Sequence, residues 1–194
     1  MRLKYTEDPP TFSDATDQAF LQKLQAQVGK RGLGPLFRTL LISPTFARGF
    51  LAFFTALRSQ STLPADVVEL AMSRVGVLTG AAVEWNAHAP MLKKAGVSEE
   101  GIETVRTAAP GHKGSDGEGG LSARLWDLMR YVDAVTKDVN VSDEVFEAMR
   151  KHLKDDRQVF EFTMIISGYN ASSRFFVALD VAEMKDAKIT KAKL

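Results

Sequence analysis

The sequence predicts an all-α fold. Apolar residues recur at steps of three and four along almost the whole chain, and no segment shows the clean two-residue alternation of a half-buried strand. A third observation sets the boundaries: N-cap serines, prolines at first helical positions and glycine stops fall between the periodic segments. With 194 residues, 45% hydrophobic and 25% charged, the chain is long enough for one sizeable core and short for two. Residues 1–194 are therefore expected to form one domain, with an N-terminal helical extension over 1–34, a polar loop over 108–122 and a basic tail over 185–194.

The elements follow in order. A helix over 15–28 gives way to a break at Gly29, Gly32, Gly34 and Pro35. "SPTFARGFLAFFTALRSQ" is the next helix, with Ser43 as N-cap and Pro44 at its first position. Its stripe of Phe46, Phe50, Phe53, Phe54 and Leu57 reads as core or subunit contact. "LPADVVELAMSRVGVLTG" starts at Pro64 and stops at Gly80; apart from Asp66, Glu69 and Arg74 it is apolar or small on every side, the pattern of a central helix. Arg74 shares the stripe of Val67, Leu70, Ala71 and Leu78, so it requires a carboxylate partner; a structural ion pair is the first expectation and substrate binding the second. A helix over 82–95 ends in basic residues and Gly96.

A repeat follows. "VSEEGIETVR" at 97–106 matches "VSDEVFEAMR" at 141–150, each with a serine N-cap, two acids and a hydrophobic staple, and "LPADVVEL" parallels "LSARLWDL" upstream. Two related helical halves are expected. Between them "APGHKGSDGEGGLS" reads as a mobile surface loop carrying an exposed His112, and His152 lies on an amphipathic helix without a direct role. A final helix over 157–184 presents Val159, Phe162, Ile166, Tyr169, Ser173 and Phe176 on one wide face.

The bulk charge excludes several classes. A formal net charge of +1 gives no sequence-wide case for nucleic acid or a membrane surface, and the basic "KDAKITKAKL" reads as a solvated end. No run approaches membrane-spanning length and the first residues lack the apolar core of a secretory signal, so a cytoplasmic location is expected. The absence of cysteine excludes disulfides, thiolate metal sites and any thiol nucleophile.

One stretch carries chemistry. In "AAVEWNAHAP", Glu84 and His88 stand at i and i+4, so both side chains leave one helix face roughly 5–6 Å apart at Cβ. A carboxylate beside an imidazole fixes its tautomer and suits it to general acid–base work near neutral pH. The bland alternative is a hydrogen-bonded core histidine with an acid favouring the helix dipole. One local histidine without a second ligand pair gives no metal site. The helix starts on Ala81 and Ala82 without a side-chain cap, which leaves backbone N–H groups able to hold a substrate carboxylate.

"LPADVVELAMSRVGVLTGAAVEWNAHAPMLKKAGVSEEGIETVR" resembles the core of the carboxymuconolactone decarboxylase and alkylhydroperoxidase-D-like superfamily. The likeness continues through "LWDLMRYVDAVTKDVNVSDEVFEAMRKHLKDDRQVFEFTMIISGYNASSRFFVALDV" and covers about residues 35–182. It implies an alkylhydroperoxidase-D-like helical bundle. In peroxidase members it implies an acid–cysteine–cysteine–histidine relay whose positions fall on Glu69, Ala81, Glu84 and His88; both thiols are missing, so the chain is not expected to be a thiol peroxidase. Decarboxylase-type members share the "EWNAH" pattern of Glu84, Trp85 and His88, with Val83 where they carry a tyrosine. The resemblance thus implies a cofactor-free acid–base enzyme, a decarboxylase or isomerase of a small lactone or cyclic carboxylic acid. His88 is its general acid, Glu84 orients it and Glu69 completes the relay. Arg74, Ala81, Ala82, Trp85, Tyr169 and Asn170 are the expected substrate contacts. The alternative is a non-catalytic small-molecule-binding protein of the same fold. Either way a homo-oligomer is expected, a dimer, trimer or hexamer, because the apolar surfaces of 44–58 and 159–177 exceed what a small helical monomer leaves to water.

Overall fold

The computed structural model describes residues 1–194 as nine α-helices and no strand: α1 Ala15–Val28, α2 Pro35–Leu40, α3 Pro44–Ser59, α4 Ala65–Thr79, α5 Ala82–Lys94, α6 Glu99–Thr107, α7 Ala123–Lys137, α8 Asp143–Arg150 and α9 Asp156–Leu179. Helix α4 is the axis. Every residue from Val67 to Gly76 is buried, because α5, α6, α7 and α9 all pack against it. No helix is long and apolar enough to cross a membrane.

α4 and α5 form an antiparallel hairpin. Gly80 closes α4 in the left-handed region, φ 72° and ψ 16°, and its N–H returns to the carbonyls of Gly76 and Val77. A side chain at Gly76 would place its Cβ 2.9 Å from the backbone nitrogen of Trp85 and 3.1 Å from Glu84 Cβ, so the missing side chain is what lets the helices touch.

α7 lies beside α4 in the same direction. Arg124 pairs with Asp66 near the starts of both helices. Further along, Arg74 Nε donates to Asp133 Oδ1 at 2.6 Å, and Nη2 donates to Oδ2 at 3.1 Å and to the Ala108 carbonyl at 2.9 Å. Nη1 donates to the Val105 carbonyl at 2.7 Å. This fully buried arginine ties α4 to α7 and caps the end of α6. The matching serines of the sequence repeat act alike: Ser98 accepts from the Gly101 N–H, and Ser142 from that of Val145.

Several expectations need correction. A short helix, α2, occupies part of the expected break, started by Pro35 at its first position. The last helix ends at Leu179 and not at 184: Asp180 turns left-handed at φ 57°, and only a short 3₁₀ turn follows over Val181–Glu183. The loop over 109–122 is a fixed clasp. Its Gly114 lies against the face of Trp126, whose Nε1 donates to the Glu118 carbonyl at 3.1 Å, while Thr104 Oγ1 donates to the Gly119 carbonyl at 2.8 Å. The C-terminal segment is not a free solvated end either. Trp85 Nε1 donates to the Thr190 carbonyl at 2.9 Å, and Ile189 and Ala192 pack on the core, because the basic side chains alternate with apolar ones.

α3 covers one side of the bundle. Phe50 and Phe54 stack at 4.1 Å, Phe54 meets Tyr169 at 5.4 Å, and Gly168 on α9 leaves room for Leu57 and Phe53. α1 adds a satellite cluster of Leu21 and Leu24 against Leu33, Leu41 and Ala47. Phe46 remains 78% exposed.

Candidate functional site

The tight hairpin decides which side chains meet. With Gly76 against the start of α5, two turns back along α4 bring Glu69 opposite His88, and Glu69 Oε2 lies 2.7 Å from His88 Nδ1. The carboxylate that fixes the imidazole is therefore Glu69, not Glu84 four residues away on the same helix. Glu84 points to α9, where Ser172 Oγ donates to its Oε1. Its second oxygen, Oε2, is buried with no hydrogen-bond partner.

His88, Glu84 and Ser172 border a cavity of about 220 Å³ between α3, α5 and α9, with Glu69 behind the imidazole. Nine of its thirteen lining residues are apolar, among them Phe50, Phe54, Val83 and Phe176; the others are Arg58, Glu84, His88 and Ser172, and Tyr169 presents its phenol as well. The His88 ring meets Tyr169 edge-on at 5.1 Å. With Nδ1 committed to Glu69, Nε2 is the ring nitrogen left without a protein partner.

Burial dominates the electrostatics. Removing Glu84 from water pushes its carboxyl up to about 8, and the hydrogen bond from Ser172 offsets only part of this, so Glu84 is mostly a neutral carboxylic acid at pH 7. Burial likewise raises the Tyr169 phenol above its ordinary range; the Arg58 cation opposes that shift, and Glu84 and Glu69 add to it. The two carboxyl groups of the hairpin, one on each helix, thus face different surroundings, Glu69 against an imidazole and Glu84 against apolar walls and a hydroxyl.

The structure brings together Glu69, Glu84, His88 and Tyr169. The other expected contacts lie elsewhere. Arg74 is spent on Asp133 and the end of α6, outside the cavity. Trp85 is fully buried beneath the C-terminal segment. Ala81 and Ala82 are 2% exposed, and their N–H groups donate to the carbonyls of Gly76 and Gly80, so no open anion cradle exists at the start of α5. Asn170 turns to Thr136 Oγ1 at 3.0 Å and accepts from Arg174 at 2.6 Å.

Sequence reasoning missed Arg58, Ser172 and the α3 aromatics as cavity walls. Ser172 stands three residues after Tyr169, hence on the same helix face, a signal that was available. Arg58 follows the phenylalanine stripe and nothing local marks it. No group of three or more His, Cys, Asp or Glu side chains is arranged to hold a metal ion.

Comparison with known proteins gives a partial family match and a consistent fold. Residues 44–116 match the model of the carboxymuconolactone decarboxylase family. None of the curated proteins matches the chain. Among solved structures, a peroxidase-related protein with the alkylhydroperoxidase AhpD core from Ralstonia eutropha JMP134 superposes with a TM-score of 0.71 at 17% identity, covering 91% of this chain and 88% of its own. A peroxidase-related protein from Silicibacter sp. TM1040 gives 0.67 at 15%, with 91% and 90% covered. An AhpD-type protein of unknown function from Agrobacterium tumefaciens gives 0.61 at 23%, with 73% and 92% covered. At these identities the likeness shows the fold, and the all-α bundle expected from the sequence is the one found.

Proposed function

We propose, for a chain whose residues 44–116 carry the carboxymuconolactone decarboxylase family pattern on an alkylhydroperoxidase-core fold, that the cavity between α3, α5 and α9 is the active site of a cofactor-free acid–base enzyme. Its substrate is a small lactone or cyclic carboxylic acid and its reaction a decarboxylation or isomerisation. One observation supports this reading above all: His88 is held at Nδ1 by Glu69 while Nε2 is left for whatever enters the cavity.

The steps balance without redox chemistry. In a decarboxylation the bond to the carboxylate carbon breaks and the electron pair passes to the carbonyl oxygen of a dienolate. The proton on His88 Nε2 then moves to carbon, and the imidazole regains one from water. Glu69 stabilises the imidazolium that precedes transfer. Glu84, kept protonated by burial, and the Tyr169 phenol are the donors for the developing oxyanion. Positioned proton transfer of this kind contributes about 10²–10⁴-fold. The space, equal to roughly seven waters, suits one small ring. Without cysteine the same scaffold has no thiolate to reduce a peroxide.

The test is turnover. Candidate acids that raise the melting temperature are assayed for release of CO₂ or double-bond migration, and His88→Gln should abolish the reaction while leaving the circular dichroism and melting temperature intact. Full turnover by that variant removes His88 from the mechanism. A compound that binds and is recovered unchanged favours the alternative, a non-catalytic small-molecule-binding protein. The exposed Phe46, Ile42 and Leu3 support assembly into a homo-oligomer, which light scattering tests.

A further inference from the structure

We infer that Arg58 determines the specificity of this cavity: its guanidinium anchors one carboxylate at the rim, so the site selects a monocarboxylate with an apolar body over dicarboxylates and neutral analogues. The inference rests on the reading that the cavity is the substrate site, and it adds the charge state of what enters.

Arg58 comes from the last turn of α3 and is the only cation lining the cavity. It is also idle. The other arginines on the helices around it are engaged: Arg38 with the Thr6 carbonyl, Arg48 with Asp17, Arg157 with Glu161 and Arg174 with Asn170. Arg58 makes no ion pair or hydrogen bond with any protein group, although its field reaches Tyr169. A guanidinium presents a planar fork of donors matched to a carboxylate, and one left unpaired beside an apolar hollow is matched by an anion from outside.

The acids of the site do not supply that anion. Glu69 is engaged with His88, and Glu84 is bonded to Ser172 and sits in its neutral form near pH 7. Nor is there a second cation. Another carboxylate on the ligand would face Leu36, Phe37, Phe50 or Phe54, where a desolvated charge has no partner. The walls therefore accept hydrocarbon, the rim accepts one negative charge, and His88 and Glu84 lie within the same space for the reacting carbon and its carbonyl; of the two proposed reactions this fits the isomerisation, since a decarboxylation would have to expel the one carboxylate that Arg58 holds.

The experiment uses three probes of one ring size on the full chain: benzoate, benzamide and phthalate, titrated by calorimetry into wild type, Arg58→Gln, Arg58→Lys and His88→Gln. Wild type is expected to bind benzoate at least tenfold more tightly than benzamide or phthalate. Arg58→Gln should lose about 10–100-fold for benzoate and nothing for benzamide, as expected for one charge-assisted pair. Arg58→Lys should recover part of the loss. Because Arg58 is exposed and unpaired, neither variant should change the melting temperature of the free protein. Benzoate binding that is absent in wild type, that survives unchanged in Arg58→Gln, or that phthalate equals would overturn the inference. His88→Gln separates the two readings. If it binds benzoate in the normal Arg58-dependent way while no acid is turned over by wild type, the anchor stands and the catalytic reading falls; if turnover requires His88 but is indifferent to Arg58→Gln, the anchor alone falls.

Discussion

Glu84 gives the sharpest quantitative prediction. Its carboxyl rises from the usual 4.5 to about 8 because it is buried with one oxygen unpartnered. A group with a raised folded-state value contributes stability that is fully present below its unfolded value and is lost as pH climbs through the folded one. The window is therefore pH 4.5 to 8, and stability should fall across it. At about 1.4 kcal/mol for each tenfold change in proton affinity, the stability lost is on the order of 3 kcal/mol by pH 7, where only the unfolded carboxyl has ionised, and about 5 kcal/mol above pH 9, where Glu84 ionises in both states. Glu84→Gln keeps the shape, retains an oxygen for Ser172 and cannot ionise. Urea unfolding of both proteins from pH 5 to pH 9 isolates the effect, since every other titrating group cancels in the difference. Near pH 5 the two should differ little; by pH 9 the variant should be the more stable by several kcal/mol. A difference that stays flat with pH would refute the claim that burial keeps Glu84 neutral, and with it the role of Glu84 as hydrogen-bond donor to an oxyanion.

Further outcomes follow from the same contacts. Glu69→Gln leaves Nδ1 of His88 without its carboxylate, so the tautomer is no longer fixed and turnover should fall about 10²–10⁴-fold with little change in substrate affinity, read from kcat and KM separately. Arg74→Met abandons Asp133 as an unpaired buried charge and should cost about 3–5 kcal/mol in denaturant unfolding. Arg74→Met combined with Asp133→Leu should recover much of that loss, and any folded fraction of either variant should bind ligand normally, because the pair lies outside the cavity.

The helical periodicity was legible because long amphipathic segments announce themselves, and Gly80, Gly96, Ser98 and Ser142 stop or start helices where local chemistry demands. The partner of His88 was harder. An i, i+4 acid on the same helix is the obvious candidate, but an imidazole and a carboxylate on one helix compete with whatever the neighbouring helices present. Here α4 presents Glu69 and α9 presents Ser172. Arg74 showed its need for an acid and not its choice of Asp133, 59 residues later, because a pair that distant depends on α7 settling beside α4. The apolar walls were invisible for the same reason: the phenylalanines of α3 look alike whether they fill a core or line a hollow.

The absence of a side chain at Gly76 links fold to chemistry more directly than any catalytic group does. If α4 and α5 stood further apart, Glu69 would not reach His88 at 2.7 Å, and the nearest acid to the imidazole would be Glu84, leaving Ser172 unused. Close packing instead divides the two acids. Glu69 meets an imidazole nitrogen, while Glu84 is pressed among apolar side chains that keep its carboxyl neutral near pH 7. Under the proposed acid–base reading, the contact that orients the imidazole also leaves Glu84 free to act as the neutral donor, so the spacing of the two helices sets both roles at once.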